Sequence, residues 1–208
     1  MERASITMMA ISYLYNVNFL AHIFLSGEPG DIMAGNFMAD SVKGSATEKY
    51  SEGIRRGIHL HRIIDTFTDS HPVVAKSKER LRKRFGKYAP VVADVFYDHF
   101  LAVGWERFSE VPLREYTNNV YAFLKKYYDI FPPRTQGFYD YMIRYDVLYS
   151  YSKVEGIDRV MKGMASRAQF ESGMEHAGEE LLEHYAEYAD EFAEFFPELQ
   201  QHIRNLAK

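Results

Sequence analysis

The 208-residue chain is 47% hydrophobic and 26% charged with a formal charge of −4, the balance of a globular protein able to bury a core. It contains no cysteine, which excludes disulfide scaffolds, zinc–thiolate sites, iron–sulfur clusters and thiol nucleophiles and fits a cytoplasmic protein. The slight negative charge argues against a nucleic-acid-binding surface.

No stretch alternates as a strand would, and no hairpin dipeptide is present. Glycine and proline punctuation predicts helices over 18–26, 30–43, 48–69, 73–85, 88–103, 112–130, 136–151, 155–168 and 176–206, the last bending or restarting at Pro197. We expect residues 1–17 to be an N-terminal extension and 18–208 to form one all-α domain, a helical bundle. The apolar stretch 6–25 is interrupted by Asn16, Asn18 and His22, too broken for a membrane span. It also lacks the charge pattern and cleavage site of a signal peptide.

Charge is blocky. Residues 76–87 carry Lys76, Lys78, Arg80, Arg82, Lys83, Arg84 and Lys87 against Glu79 alone, whereas 171–198 hold acids with no Lys or Arg. The acidic block reads as a solvated face. The basic block could steer an acidic partner.

Chemistry concentrates in the first hundred residues. Residues four apart share a helix face, and that spacing joins Asn18 to His22, Asn36 to Asp40, His61 to Asp65 and Asp69, and Asp94 to Asp98. The helix carrying Asp94 and Asp98 is apolar nearly all round, the mark of burial. Buried carboxylates repel one another and lose hydration unless a cation compensates. On the helix over 48–69, His61 shares an arc with Asp65, Asp69, Ile54 and Ile58, while His59 lies on the opposite side. Imidazole and carboxylate donors without sulfur suit Mn²⁺, Mg²⁺, Fe²⁺ or Zn²⁺. Capping by Asn18 and pairing of Asp65 and Asp69 with Arg62 is the ordinary alternative.

Asn18-Phe19-Leu20-Ala21-His22, Gly35-Asn36-Phe37-Met38-Ala39-Asp40, Gly57-Ile58-His59-Leu60-His61-Arg62 with Asp65 and Thr68-Asp69, and Asp94 with Tyr97-Asp98-His99-Phe100-Leu101 closed by Trp105 together resemble the acyl carrier protein phosphodiesterases. That family resembles a divergent branch of the HD-domain metal-dependent phosphohydrolases, which implies an HD-domain-like bundle. The resemblance implies hydrolysis of the diester joining 4′-phosphopantetheine to a serine of acyl carrier protein, usually with Mn²⁺. By position it implies His22, Asp40, His61, Asp65 and Asp98 as metal ligands, with Asn36, Asp69 and His99 in catalysis. Here the order is Asp98-His99, the reverse of the His-Asp dipeptide. Acyl carrier protein is an acidic partner for Lys76, Lys78, Arg80, Arg82, Lys83 and Arg84. The many Tyr and Phe residues could line an apolar channel for the pantetheine arm. Two other readings remain open: a phosphohydrolase for a nucleotide or small diester, and a non-catalytic module binding an acidic protein.

Overall fold

The computed structural model describes residues 18–206; the expected extension over 1–17 lies outside them. Among the described residues every regular element is helical. The α-helices are α1 (Phe19–Leu25), α2 (Asp31–Met38), α3 (Glu52–Ser70), α4 (Pro72–Phe85), α5 (Ala89–Val103), α6 (Leu113–Lys125), α7 (Pro133–Arg144), α8 (Val147–Ser150), α9 (Val154–Ala165), α10 (Ala177–Glu183) and α11 (Tyr185–Leu206). None is long and apolar enough to cross a membrane.

The apolar sequence of α5 places it at the centre, packed against α1, α4, α9 and α11. Around it lies one continuous core including Phe96, Leu101, Tyr151, Tyr188 and Phe196. Helices α2 and α3 pack backbone against backbone. A Cβ on Gly35 would stand 2.1 Å from the Ile54 carbonyl oxygen, and one on Gly57 would stand 2.1 Å from that of Ile32. Only glycine admits such backbone contact, and it brings Asn36 on α2 beside His61, one turn beyond Gly57 on α3.

Helix ends follow local chemistry. Ser51 caps α3 by accepting from the Ile54 N–H, and its hydroxyl donates to Asp31 at the start of α2. Pro72 opens α4 behind the His71 cap. The sequence expectation of one helix over 136–151 is corrected: Asp146 adopts a left-handed backbone, φ 49°, and separates α7 from α8. The final helix restarts at His184, and Pro197 lies inside an uninterrupted α11.

The two charge blocks meet. Arg80 grips Glu191 through both terminal nitrogens at 2.9 and 2.7 Å, and Arg84 pairs with Glu179 and lies 3.8 Å from Glu180. The acidic block is therefore not only a solvated face. Half of the expected partner-binding set is consumed internally: Lys78 is buried on Asp69 at 2.6 Å, with Arg80 and Arg84 tied to the C-terminal acids. Lys76, Arg82 and Lys83 are exposed.

Candidate metal centre

His22 on α1, Asn36 on α2, Asp40 in the 3-10 turn Ala39–Ser41 and His61 with Asp65 on α3 come together. Asn36 is the hub and is fully buried. Its Nδ2 donates to the His22 carbonyl and to Ser26 Oγ, both at 2.9 Å. A carbonyl only accepts, so the amide nitrogen must face it. Asn36 Oδ1 then lies 2.9 Å from Nδ1 of both His22 and His61. That oxygen also only accepts, so both Nδ1 atoms carry hydrogen. In the neutral rings this leaves each Nε2 with a bare lone pair.

The two imidazoles stack at 4.1 Å and 28°, and both Nε2 atoms face the Asp65 carboxylate. His22 Nε2 is 3.2 Å from Asp65 Oδ1, and His61 Nε2 is 3.3 Å from both Asp40 Oδ1 and Asp65 Oδ2. The His22 contact is at ion-pair distance but outside hydrogen-bond geometry, and this buried nitrogen has no hydrogen-bond partner among the described residues. Burial, together with the neighbouring His61, holds His22 below its ordinary range. Burial would also depress His61, but Asp40 and Asp65 outweigh it and hold the ring above its ordinary range. A proton on His61 and a cation at Nε2 are thus alternatives.

The donors fit a divalent cation. Ligand atoms about 2.0–2.2 Å from one ion stand about 3.0–3.5 Å apart, close to the separations of 3.2 and 3.3 Å seen here. His22, His61 and Asp65 each offer an atom within 4.8 Å of the others. Asn36 is the partner that fixes both ring orientations from behind. Asp40 and Asp65 remain 29% and 31% exposed, so the open side of the cluster reaches solvent.

Further acids surround this group. Asp94 on α5 is pushed up to about 8, by burial first and then by the charges of Asp65, Asp69 and Asp40, with Lys78 opposing. Asp69 sits at the rim, 74% exposed and held by Lys78. Of the Asp94 and Asp98 pair, Asp94 is the one that feels the charges of the cluster, whereas Asp98, expected as a ligand, is engaged elsewhere. Each oxygen of Asp98 accepts a backbone N–H at 2.9 Å, from Leu20 and Ala21, so this buried carboxylate caps α1 from a distance. Asn18 itself makes no side-chain cap bond.

His99, expected in catalysis, stands elsewhere. Its Nδ1 donates to the Tyr151 carbonyl at 2.7 Å and its Nε2 accepts from the Tyr185 hydroxyl at 3.2 Å. Burial holds it below its ordinary range, so it is a neutral core histidine. Asn36 is a positioning residue, since its amide is committed to His22, His61 and Ser26. His59 is exposed on the far side of α3.

The family model described as acyl carrier protein phosphodiesterase matches residues 17–199. An acyl carrier protein phosphodiesterase of Enterobacter sp. (strain 638) is 33% identical over 91% of this chain and 98% of its own. One from Escherichia coli O157:H7 (strain EC4115 / EHEC) is 32% identical over 88% and 95%, and one from Photorhabdus laumondii is 29% identical over 91% and 96%. No solved structure matches the chain. A family match across both the cluster and the helices behind it leaves one assignment: the chain belongs to the acyl carrier protein phosphodiesterase family.

Proposed function

We propose that this chain hydrolyses the phosphodiester joining 4′-phosphopantetheine to a serine of acyl carrier protein, giving the apo carrier and the free arm. The cluster of His22, Asp40, His61 and Asp65 would hold the ion, Mn²⁺ in the first instance with Mg²⁺ or Fe²⁺ as substitutes, and the setting would be cytoplasmic. The names of the relatives support the substrate. The observation that carries the metal is the shared Asn36 oxygen, which leaves two Nε2 lone pairs aimed at carboxylates.

When bound, the ion supplies an activated water near neutral pH and neutralises charge on the phosphoryl oxygens. Asn36 keeps a hydrogen on each Nδ1 and so turns both Nε2 atoms toward the open side. Asp40 and Asp65 line the side that a diester enters. Asp69, anchored by Lys78 at the rim, would accept the proton released as water attacks. Lys76, Arg82 and Lys83, the exposed remainder of the basic run, guide the carrier in.

Incubation with holo-carrier protein and Mn²⁺, followed by mass spectrometry, tests the reading. The expected result is a carrier lighter by the prosthetic arm, formed by wild type and not by Asp65→Ala. A carrier of unchanged mass after Mn²⁺ addition would overturn it.

A further inference from the structure

The solvent side of α3 carries a second basic surface, and unlike that of α4 it is not tied up by the protein's own acids. Arg55, Arg56, His59 and Arg62 are all exposed. Among the described residues none of these four side chains takes part in an ion pair or hydrogen bond, whereas Arg80, Arg84 and Arg114 each hold an acid. Arg62, which the sequence spacing offers to Asp65 and Asp69, pairs with neither, and Asp69 goes to Lys78. Between this side of α3 and the C-terminal end of α11 lies an open groove of about 310 Å³, in which Arg55, Arg56 and His59 flank Leu60, Ile63 and Leu206. Leu60 and Ile63 are half-buried, and Leu206 is 54% exposed. Glu52, in the first turn of α3, is the single acid among the described residues of the lining.

The groove shares its helix with the metal centre. Arg62 stands three residues before Asp65 and seven before Asp69, on the same stripe of α3, so the basic face begins at the rim of the cluster. From there it continues round the helix through Arg55 and His59 to Arg56. A helix with its side chains is about 10–12 Å thick, whereas an ordinary protein interface covers about 800 Å² per partner, roughly 30 Å across. One footprint therefore spans both the groove and the open side of the cluster.

We infer that this face of α3 seats the acidic carrier protein, with surface carboxylates on Arg55, Arg56 and Arg62 and an apolar ridge in the groove beside them. The inference rests on the phosphodiesterase reading and assigns its substrate a docking face. Charge selects the occupant. Unpaired guanidinium groups around an apolar floor match carboxylates around an apolar ridge, and each can hold a carboxylate through two nitrogens. A second copy of this chain joined by two-fold symmetry would instead set these arginines against themselves. Lys76, Arg82 and Lys83 then act earlier, on the approach of the carrier.

The test compares kcat/KM of the full Mn²⁺-loaded chain on holo-carrier protein and on bis(p-nitrophenyl) phosphate, for wild type and for Arg55→Glu combined with Arg56→Glu. The double variant should lose about 100-fold on the carrier, about tenfold for each reversed arginine, mainly in KM, and keep the wild-type rate on the small diester. Its kcat/KM on the carrier should also fall less steeply with added salt, a change that a merely structural role would not produce. Arg56→Ala, a milder change at an exposed position, should lose about threefold on the carrier and guards against a double variant that fails to fold. Melting curves accompany both. Wild-type carrier kinetics in both folded variants, or equal losses on the two substrates, would overturn the docking face and leave the phosphodiesterase reading intact. A wild-type dimer in sedimentation equilibrium that the double variant breaks would also overturn it, because the face would then hold a second copy. A wild type that turns over neither substrate would overturn the phosphodiesterase reading, and the docking face with it.

Discussion

Replacing Asn36 with leucine removes the acceptor shared by two imidazoles while keeping the volume of the side chain. The His22 carbonyl keeps a partner, because Ser26 Oγ also donates to it at 2.8 Å. The groups left bare are the Nδ1–H atoms of His22 and His61, each previously 2.9 Å from Asn36 Oδ1. An unsatisfied buried donor costs about 1–3 kcal/mol, so the direct loss is about 2–6 kcal/mol. The rings have an escape, which is to move the proton from Nδ1 to Nε2, facing Asp65 and Asp40 at 3.2 and 3.3 Å. That tautomer keeps the fold and blocks the ion. The expected loss of stability is therefore at the low end, about 2 kcal/mol, a fall in melting temperature of about 4–8 °C for a chain of this size. Affinity for the ion should drop by about 10–100-fold, as when the partner behind a metal-binding histidine is removed. Calorimetric titration of chelator-treated Asn36→Leu with Mn²⁺, beside wild type, reads the second effect, and melts with and without Mn²⁺ read the first. Wild-type Mn²⁺ affinity in a folded Asn36→Leu protein would refute the reasoning, since nothing would then depend on the tautomer.

Asp98→Ala should act on the fold. Two buried N–H groups lose a carboxylate, about 2–5 kcal/mol after relief of repulsion with Asp94, visible as a lower urea midpoint, while the folded fraction still binds Mn²⁺. Intact stability with lost Mn²⁺ binding would return Asp98 to the ligands. Asp94 predicts the pH dependence of the metal-free chain. Its carboxyl, raised from 3.8 to about 8, keeps a proton in the folded state that the unfolded chain has released, so stability falls as pH rises through that window. His61, raised above 6.5, contributes in the same direction, its stabilisation being lost as pH rises through its folded value. Asp94→Asn should flatten the fall in urea midpoint between about pH 5 and about pH 8 measured in chelator. An unchanged slope would contradict the crowding of acids around Asp94.

The sequence carried the architecture because helix periodicity and glycine or proline punctuation are local. The helices over 73–85 and 88–103 land within a residue of α4 and α5. Boundaries slipped where the cause was tertiary. Asp146 ends α7 by holding a left-handed backbone while its carboxylate meets Arg114 and Tyr121, contacts 32 and 25 residues away. Pro197 leaves α11 unbroken, and the restart falls at His184 instead. The spacing of four found His22, Asp40, His61 and Asp65 because it reports a shared helix face, and the helical wheel separated His61 from exposed His59. It could not separate Asp94 from Asp98, which share one face of α5. Which of them meets the cluster depends on where α1 begins, because Leu20 and Ala21 claim Asp98. The opposite signs of the blocks at 76–87 and 171–198 were visible, yet only packing of α4 against α11 brings Arg80 to Glu191.

The central claim is that one divalent ion explains why two histidines turn their Nε2 atoms toward two carboxylates. Crystals of the chain grown with Mn²⁺ and measured at the manganese absorption edge test it most directly. The account predicts an anomalous peak bounded by His22 Nε2, His61 Nε2 and the carboxylates of Asp40 and Asp65, with both Nδ1 atoms still on Asn36. No peak at that point, with the Nε2 atoms hydrogen-bonded to the carboxylates instead, would contradict it.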